Sequence, residues 1–124
     1  MIYVTIDGDD IGRKLASCYL SNRVEALRAT KNLVDRKTQE ISELLSSMGY
    51  EVFFCAADGI SGAVSADKID IDSLYQRIEG VSGDDLTFSV GVGNSLRESY
   101  VALLYAKSSG KAQICGFESI GGHV

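Results

Sequence analysis

The sequence predicts a ferredoxin-like α/β fold (an α+β arrangement) in which an antiparallel central hairpin of the sheet is flanked by helices. The prediction rests on a buried first strand that ends in acidic residues, a strong hairpin signal near the middle of the chain, and amphipathic helices between the strands. The expected order is β-α-α-β-β-α-β-α-β. Residues 1–120 are expected to form one domain, and 121–124 a flexible tail that includes His123.

The composition is typical of one globular domain: the chain has 124 residues, of which 45% are hydrophobic. No run of about twenty apolar residues indicates a membrane span. The chain enters a strand at once, so no signal peptide is expected and a cytoplasmic location is favoured. The net charge of −5 argues against binding to a long nucleic acid but allows a small nucleotide that arrives with Mg²⁺. Cys18, Cys55 and Cys115 are expected to be reduced core residues.

The first strand leads into an Asp-rich loop. Residues 2–6 are β-branched, aromatic and nearly all apolar, as in a buried strand. Three carboxylates follow it within four positions: Asp7, Asp9 and Asp10. Carboxylates crowded at the end of a buried strand repel one another, and oxygen ligands of this kind suit Mg²⁺. The loop glycines, Gly8 and Gly12, leave the backbone open to the approach of a phosphate.

The remaining elements follow from periodicity and capping signals. A short helix at 12–19 precedes a long helix that Ser21 or Asn22 would cap and Gly49 would end. The later elements are expected at 50–56 and 60–65 (a hairpin with an Asp58-Gly59 turn), 70–79 (helix), 86–92 (strand), Asn94 or Ser95 to 109 (helix) and 112–115 (strand).

In this arrangement the first strand lies beside the hairpin, so Asp7 and Asp58 are expected to face each other. Together with the Gly8 carbonyl they would hold Mg²⁺ against a triphosphate. Asp58 as an ordinary turn residue is the alternative.

Four basic residues are candidates for binding phosphates at this site. Lys107 and Lys111, near the end of the last long helix, either clamp phosphates or complement the helix dipole. Arg13 and Lys14, beside the Asp-rich loop, either assist them or form surface ion pairs.

A receiver domain is a rival interpretation, because it also combines an acidic cluster, a central Asp and a Lys. The order of elements argues against it. Residues 23–48 form one unbroken helical pattern where a receiver needs a second strand, and 60–65 is a strand where a receiver needs a helix.

With these motifs in place, the chain resembles the palm-type nucleotide cyclases. Phe88 to Gly93, followed by Ala102 to Lys111, is similar to the closing half of a GGDEF diguanylate cyclase. The opening Asp7 to Arg13 is closer to the polymerase palm of type III CRISPR complexes. A free-standing palm of this size most resembles the minimal CRISPR polymerase (mCpol) family.

The resemblance implies a homodimeric, Mg²⁺-dependent nucleotidyltransferase (Mn²⁺ is the other candidate metal) that converts ATP into a cyclic dinucleotide in antiphage defence, beside a membrane-associated effector. It makes Asp7 and Asp58 catalytic, with Gly8 as a further metal ligand. The nucleotide would be bound by residues of the Asp-rich loop and by two lysines: Gly8, Asp9, Asp10, Ile11, Gly12, Arg13, Lys107 and Lys111.

Two departures from the family pattern qualify this. The second acid of the hairpin tip is absent from Ala56-Ala57-Asp58-Gly59, so Asp9 or Asp10 would have to replace its charge, or one metal binds tightly. The Asn-Asp pair with which diguanylate cyclases bind guanine would fall near Leu15 and Ala16, whose side chains cannot make those hydrogen bonds. This favours ATP over GTP as the substrate. The alternatives are a nucleotide hydrolase like GTP cyclohydrolase III and a non-catalytic nucleotide sensor.

Overall fold

The computed structural model describes residues 1–121 and confirms the α/β class, with a five-stranded sheet flanked by helices. The elements are β1 (Ile2–Gly8), α1 (Ile11–Leu20), α2 (Val24–Ser47), β2 (Glu51–Ala56), β3 (Gly59–Val64), α3 (Ile71–Ser82), β4 (Phe88–Gly93), α4 (Leu96–Ser108), β5 (Ile114–Gly116) and α5 (Phe117–Gly121). Gly121 therefore ends α5, and the rest of the predicted tail, 122–124 with His123, lies outside the described residues.

The strands follow the order β2-β3-β1-β4-β5, so β1 is the central strand. The β2–β3 hairpin, which the sequence places in the middle of the sheet, instead forms one edge of it, because β1 pairs with both β3 and β4. It pairs antiparallel with β3 on one side and with β4 on the other, whereas β5 adds to β4 in parallel. Asp7, near the end of β1, is opposite Gly59 at the start of β3. The topology therefore brings the end of the first strand to the tip of the β2–β3 hairpin.

The hydrophobic core lies on the face of the sheet that α2 and α3 cover. Alternate residues of β1 and β4 point to this face and pack against apolar residues of both helices. The fully buried members of this core include Val4, Ile6, Ile41, Leu45, Ile60, Ile78, Phe88 and Val90. Since burial on this scale is the main favourable term in folding, this face fixes the register of β1 and therefore the position of Asp7.

The opposite face is covered by α4 over β1 and β4. Contact is so close that a Cβ on Gly91 would lie 2.0 Å from the carbonyl oxygen of Ser99. On β1, the hydroxyl of Thr5 shares a hydrogen bond of 2.7 Å with that of Ser99. This close packing holds the C-terminal end of α4, and with it Lys107, beside the end of β1.

Local details differ from the prediction at the turns. The hairpin turn consists of Ala57 and Asp58, and Gly59 already belongs to β3. Ala57 takes the positive φ, 53°, that the turn requires. β5 begins at Ile114 rather than at 112, because Lys111 and Ala112 have positive φ angles of 63° and 48°.

Two expectations drawn from composition have different outcomes. Cys18 is buried, but Cys55 is exposed on the edge strand β2 and Cys115 is half-buried, so the placement of all three in the core was wrong. The outer edge of β2, where Cys55 lies, pairs with no other strand among residues 1–121. Within the same residues, no helix combines the length and apolar character needed to cross a bilayer.

Candidate functional site

Asp7 and Asp58 meet where β1 ends against the hairpin tip. The Gly8 amide donates a 3.0 Å hydrogen bond to the Asp58 carbonyl, which fixes the hairpin turn on the β1 terminus. A Cβ on Gly8 would be 3.2 Å from Asp58 Oδ2 and 2.8 Å from Ile11 Cγ1, so only glycine fits between them. The sequence prediction that these two carboxylates lie close together agrees with this geometry.

The charge of Asp7 is poorly compensated. Burial raises the pKa of Asp7, and the neighbouring charge of Asp58 raises it further. Lys107, whose Nζ lies 3.3 Å from Asp7 Oδ2, lowers the pKa but does not cancel these effects. Two oxygen-bearing groups that repel each other in this way form a place where an added cation is favoured.

Lys107 is directed into the Asp-rich loop. Its Nζ donates hydrogen bonds of 2.7 Å to the Gly8 carbonyl and 2.9 Å to Asp9 Oδ1. The sequence predicts that Lys107 binds phosphates, whereas the structure places the ammonium among oxygens of the loop itself. Its side chain is 22% exposed, so the ammonium lies at the rim of the site.

Asp9 is buried and its carboxylate is satisfied by protein donors. Oδ1 accepts from the Ser89 hydroxyl at 2.7 Å and from Lys107, while Oδ2 accepts from the Thr87 hydroxyl at 2.8 Å and the Ala112 amide at 2.9 Å. Burial alone would raise the pKa of Asp9, but these hydrogen bonds outweigh it and lower the pKa. Asp9 therefore ties the loop to β4 and to the α4–β5 connection.

Asp10 is neutralised at the start of α1. It has φ 59° and ψ 22°, and its side chain does not cap the helix. Its carboxylate instead pairs with Lys111 and, at 3.2 Å, with Arg13, whose side chain is 80% exposed. The hydrogen bond from Lys111 lowers the pKa of Asp10. Arg13 and Lys111, two of the three cations that the sequence assigns to the nucleotide, thus contact this one acid.

A cavity of about 450 Å³ opens between α1, α2 and the hairpin. Asp58, Ile11 and the exposed Gly12, all of which the sequence assigns to the site, line it. Sequence reasoning missed Lys31 and Asp35 on α2, which form a 2.6 Å ion pair at its wall. Their i, i+4 spacing is that of an ordinary surface pair, so no sequence signal distinguishes them.

The donor set fits a small hard cation. Among residues 1–121, no cluster of three or more His, Cys, Asp or Glu side chains is arranged for a metal. Asp7 and Asp58 nevertheless supply two carboxylates beside a backbone carbonyl. Mg²⁺ is commonly held by one or two carboxylates, with water and substrate phosphates completing its shell. The site suits that mode of binding better than a closed, all-protein cage.

Comparison with known proteins identifies the family. The sequence profile of the minimal CRISPR polymerase domain matches residues 3–117. The chain belongs to the mCpol family. A search of curated proteins found no match for this mCpol chain.

Solved structures show the same fold. The GGDEF domain of DgcB from Caulobacter crescentus, in complex with c-di-GMP, is similar with a TM-score of 0.66 and 10% identity over 94% of this chain and 77% of that one. A chain of the Csm1–Csm4 cassette in complex with cA4 is similar with a TM-score of 0.65 and 17% identity over 91% of this chain and 20% of that one. A diguanylate cyclase/phosphodiesterase from Caldicellulosiruptor saccharolyticus is similar with a TM-score of 0.58 and 18% identity, over 93% of this chain and 75% of that one. The mCpol chain is therefore a cyclase- or polymerase-like palm.

Proposed function

We propose that this mCpol chain is a Mg²⁺-dependent nucleotidyltransferase that joins two ATP molecules into a cyclic dinucleotide and releases pyrophosphate. The observation that carries the proposal is the Asp7–Asp58 pair. Asp58 lines a cavity large enough for a nucleotide and Asp7 lies beside Asp58, on a palm of the cyclase and polymerase type. Palm domains of this type generally use divalent metals.

Asp7, Asp58 and the Gly8 carbonyl would hold Mg²⁺. When bound, the metal lowers the pKa of an attacking hydroxyl and stabilises charge on the leaving pyrophosphate. Lys107 would also help to stabilise charge on the leaving pyrophosphate, since its ammonium lies at the site and contacts Asp7 and the Gly8 carbonyl. The two acids are the catalytic residues of the proposal.

The first turn of α1 would bind the triphosphate. Asp10 provides no side-chain cap, so the amides of Ile11, Gly12 and Arg13 are free to meet phosphate oxygens, and the helix dipole favours negative charge there. Gly12 supports this role because a Cβ added to it would meet no atom within 4 Å. Arg13 and Lys111 would add charge from the side of Asp10, and Asp9 would hold the loop from behind.

The base would enter the cavity beside α1. Leu15 lines that cavity, and its apolar side chain cannot make the hydrogen bonds with which guanine is read. ATP is therefore favoured over GTP. A homodimer belongs to the proposal because closing a ring takes two transfers, each of which needs a pair such as Asp7 and Asp58. Antiphage defence, the membrane-associated effector and the cytoplasmic location remain predictions.

The experiment is to incubate the purified chain with ATP or GTP and Mg²⁺ and to analyse the products by mass spectrometry. Pyrophosphate and a cyclic adenine dinucleotide are expected from ATP. An opened purine ring would instead indicate a hydrolase, and no turnover of any nucleotide would contradict the enzyme proposal.

A sensor module is the second candidate, favoured by one observation: Gly59 stands where the related hairpins carry their second acid. Nucleotide binding without pyrophosphate release would support it.

A further inference from the structure

A second concave surface lies on the other face of the sheet, between α4 and the hairpin. This groove, called the α4 groove here, has a volume of about 370 Å³. Its apolar walls are Phe54, Tyr100 and Leu104, and Asp7 and Lys107 line it as well. The cavity beside α1 is lined by Asp58, and the α4 groove by Asp7. The two carboxylates of the proposed site thus lie where the two cavities approach each other, one carboxylate lining each cavity.

The walls of the α4 groove are unusually exposed for apolar side chains. Phe54 is 55%, Tyr100 54% and Leu104 48% exposed. A β-bulge between Val52 and Phe54 pairs Phe54 with Ser61. The side chain of Phe54 therefore points to the α4 side of the sheet rather than to the core. Rings displayed beside a concave surface are typical of a binding site rather than of folding.

Gly59 keeps the α4 groove continuous with the reaction site. A Cβ at this position would be 3.7 Å from Asp7 Oδ1 and 3.7 Å from Phe54 Cε1. In the related hairpins this position carries the second acid. In this chain the missing side chain leaves an open path from the Phe54 ring to the Asp7 carboxylate.

We propose that the α4 groove binds the base of the second, acceptor nucleotide; this inference rests on the proposed function. A purine stacked against Phe54 and Tyr100 would direct its ribose toward Asp7. The ribose hydroxyl oxygen then attacks the α-phosphorus of the nucleotide in the cavity beside α1. A P–O bond forms, the bond from that phosphorus to the bridging oxygen breaks, pyrophosphate leaves with the electron pair, and water takes the hydroxyl proton.

Size favours a nucleotide over a second copy of the chain as the occupant. By typical areas for aromatic side chains, three half-exposed walls offer roughly 300 Å². A stable interface needs about 800 Å² per partner. The exposed Phe53 and Leu96 nearby would not close that gap. The groove volume, in contrast, falls in the range of ordinary small-molecule sites.

The test is calorimetric titration with α,β-methylene ATP and Mg²⁺, because this probe binds but cannot release pyrophosphate. The intact chain should bind two molecules per chain. Phe54→Ser and Tyr100→Ser should each weaken the second binding event about 5- to 140-fold, the usual range for loss of base stacking, while Tyr100→Phe retains it. The matched controls, Phe53→Ser and Tyr105→Ser, remove exposed rings that do not line the groove and should leave both events unchanged.

Gly59→Val provides an independent route, since it fills the groove without removing a wall. It should weaken only the second event, and thermal melts identify any variant that fails to fold. One molecule bound per intact chain, or an unchanged second event in the Phe54, Tyr100 and Gly59 variants, would overturn the inference. So would conversion of a dimer to a monomer with unchanged stoichiometry, since the groove would then be a contact between copies. Because the probe reports binding alone, two bound molecules without any product from ATP would refute the proposed function and leave the groove standing.

Discussion

Asp7 and Asp9 are two residues apart in the same loop, yet their surroundings are opposite. Asp7 faces Asp58 and has a raised pKa, for which burial is the largest cause. Asp9 is almost completely buried, but hydrogen bonds from four neighbours lower its pKa. The comparison shows that burial alone does not decide the state of a carboxylate, because donors do. The hydrogen-bonded Asp9 ties the loop to its neighbours, whereas the mutually repelling Asp7 and Asp58 are the proposed catalytic pair.

The largest effect is expected from removing one member of the repelled pair. Asp58→Ala and Asp7→Ala should each reduce pyrophosphate release from ATP by at least about 100-fold, because even indirect partners of a metal contribute 10- to 100-fold. Circular dichroism should show an intact fold. Near-normal turnover in either variant would contradict the catalytic role assigned to that acid.

The next effect concerns the satisfied acid. Asp9→Asn should destabilise the chain by about 3 kcal/mol, as breaking a buried, hydrogen-bonded charge pair usually does. The amide group cannot accept at both positions now filled by Ser89, Thr87, Ala112 and Lys107. Urea denaturation measures this loss in the free energy of unfolding. As a control, Asp35→Asn alters an exposed ion pair and should change stability by less than about 1 kcal/mol.

Two glycines of the loop allow a matched steric test. Gly8→Ala would place a Cβ 2.8 Å from Ile11 Cγ1 and 3.1 Å from Asp58 Cβ, and should cost about 1–3 kcal/mol as other overpacked sites do. Gly12→Ala meets open space and should leave the unfolding midpoint unchanged or slightly raised. Equal midpoints for the two variants would contradict the tight junction between β1 and the hairpin.

The order of the first nine elements was predictable because each carries a local signal, such as alternation, a cap or a turn, whereas the short α5 was not predicted. The closeness of Asp7 to Asp58 also followed from the expected fold class, in which β1 pairs with the hairpin and Asp7 comes opposite Gly59. The partners of Asp9 were not predictable, because Thr87, Ser89 and Ala112 lie at least 78 positions away and carry no motif. Phe54 was missed for a related reason: a bulge reverses the face on which alternation would place it.

The smallest effect is a difference in pH dependence between the two acids. The folded-state pKa of Asp7 lies above its ordinary value of 3.8, so its ionisation costs stability as pH rises through that interval. Asp7→Asn should therefore unfold at a higher urea concentration than the intact chain at pH 7, and this gain should disappear by pH 3.8. The folded-state pKa of Asp9 is lowered instead, so its stabilisation is full above 3.8 and is lost only below that value. The deficit of Asp9→Asn should consequently persist down to pH 3.8, the pH at which the gain of Asp7→Asn has already disappeared. If both differences varied over the same pH range, the two acids would share one environment and the contrast between them would fail.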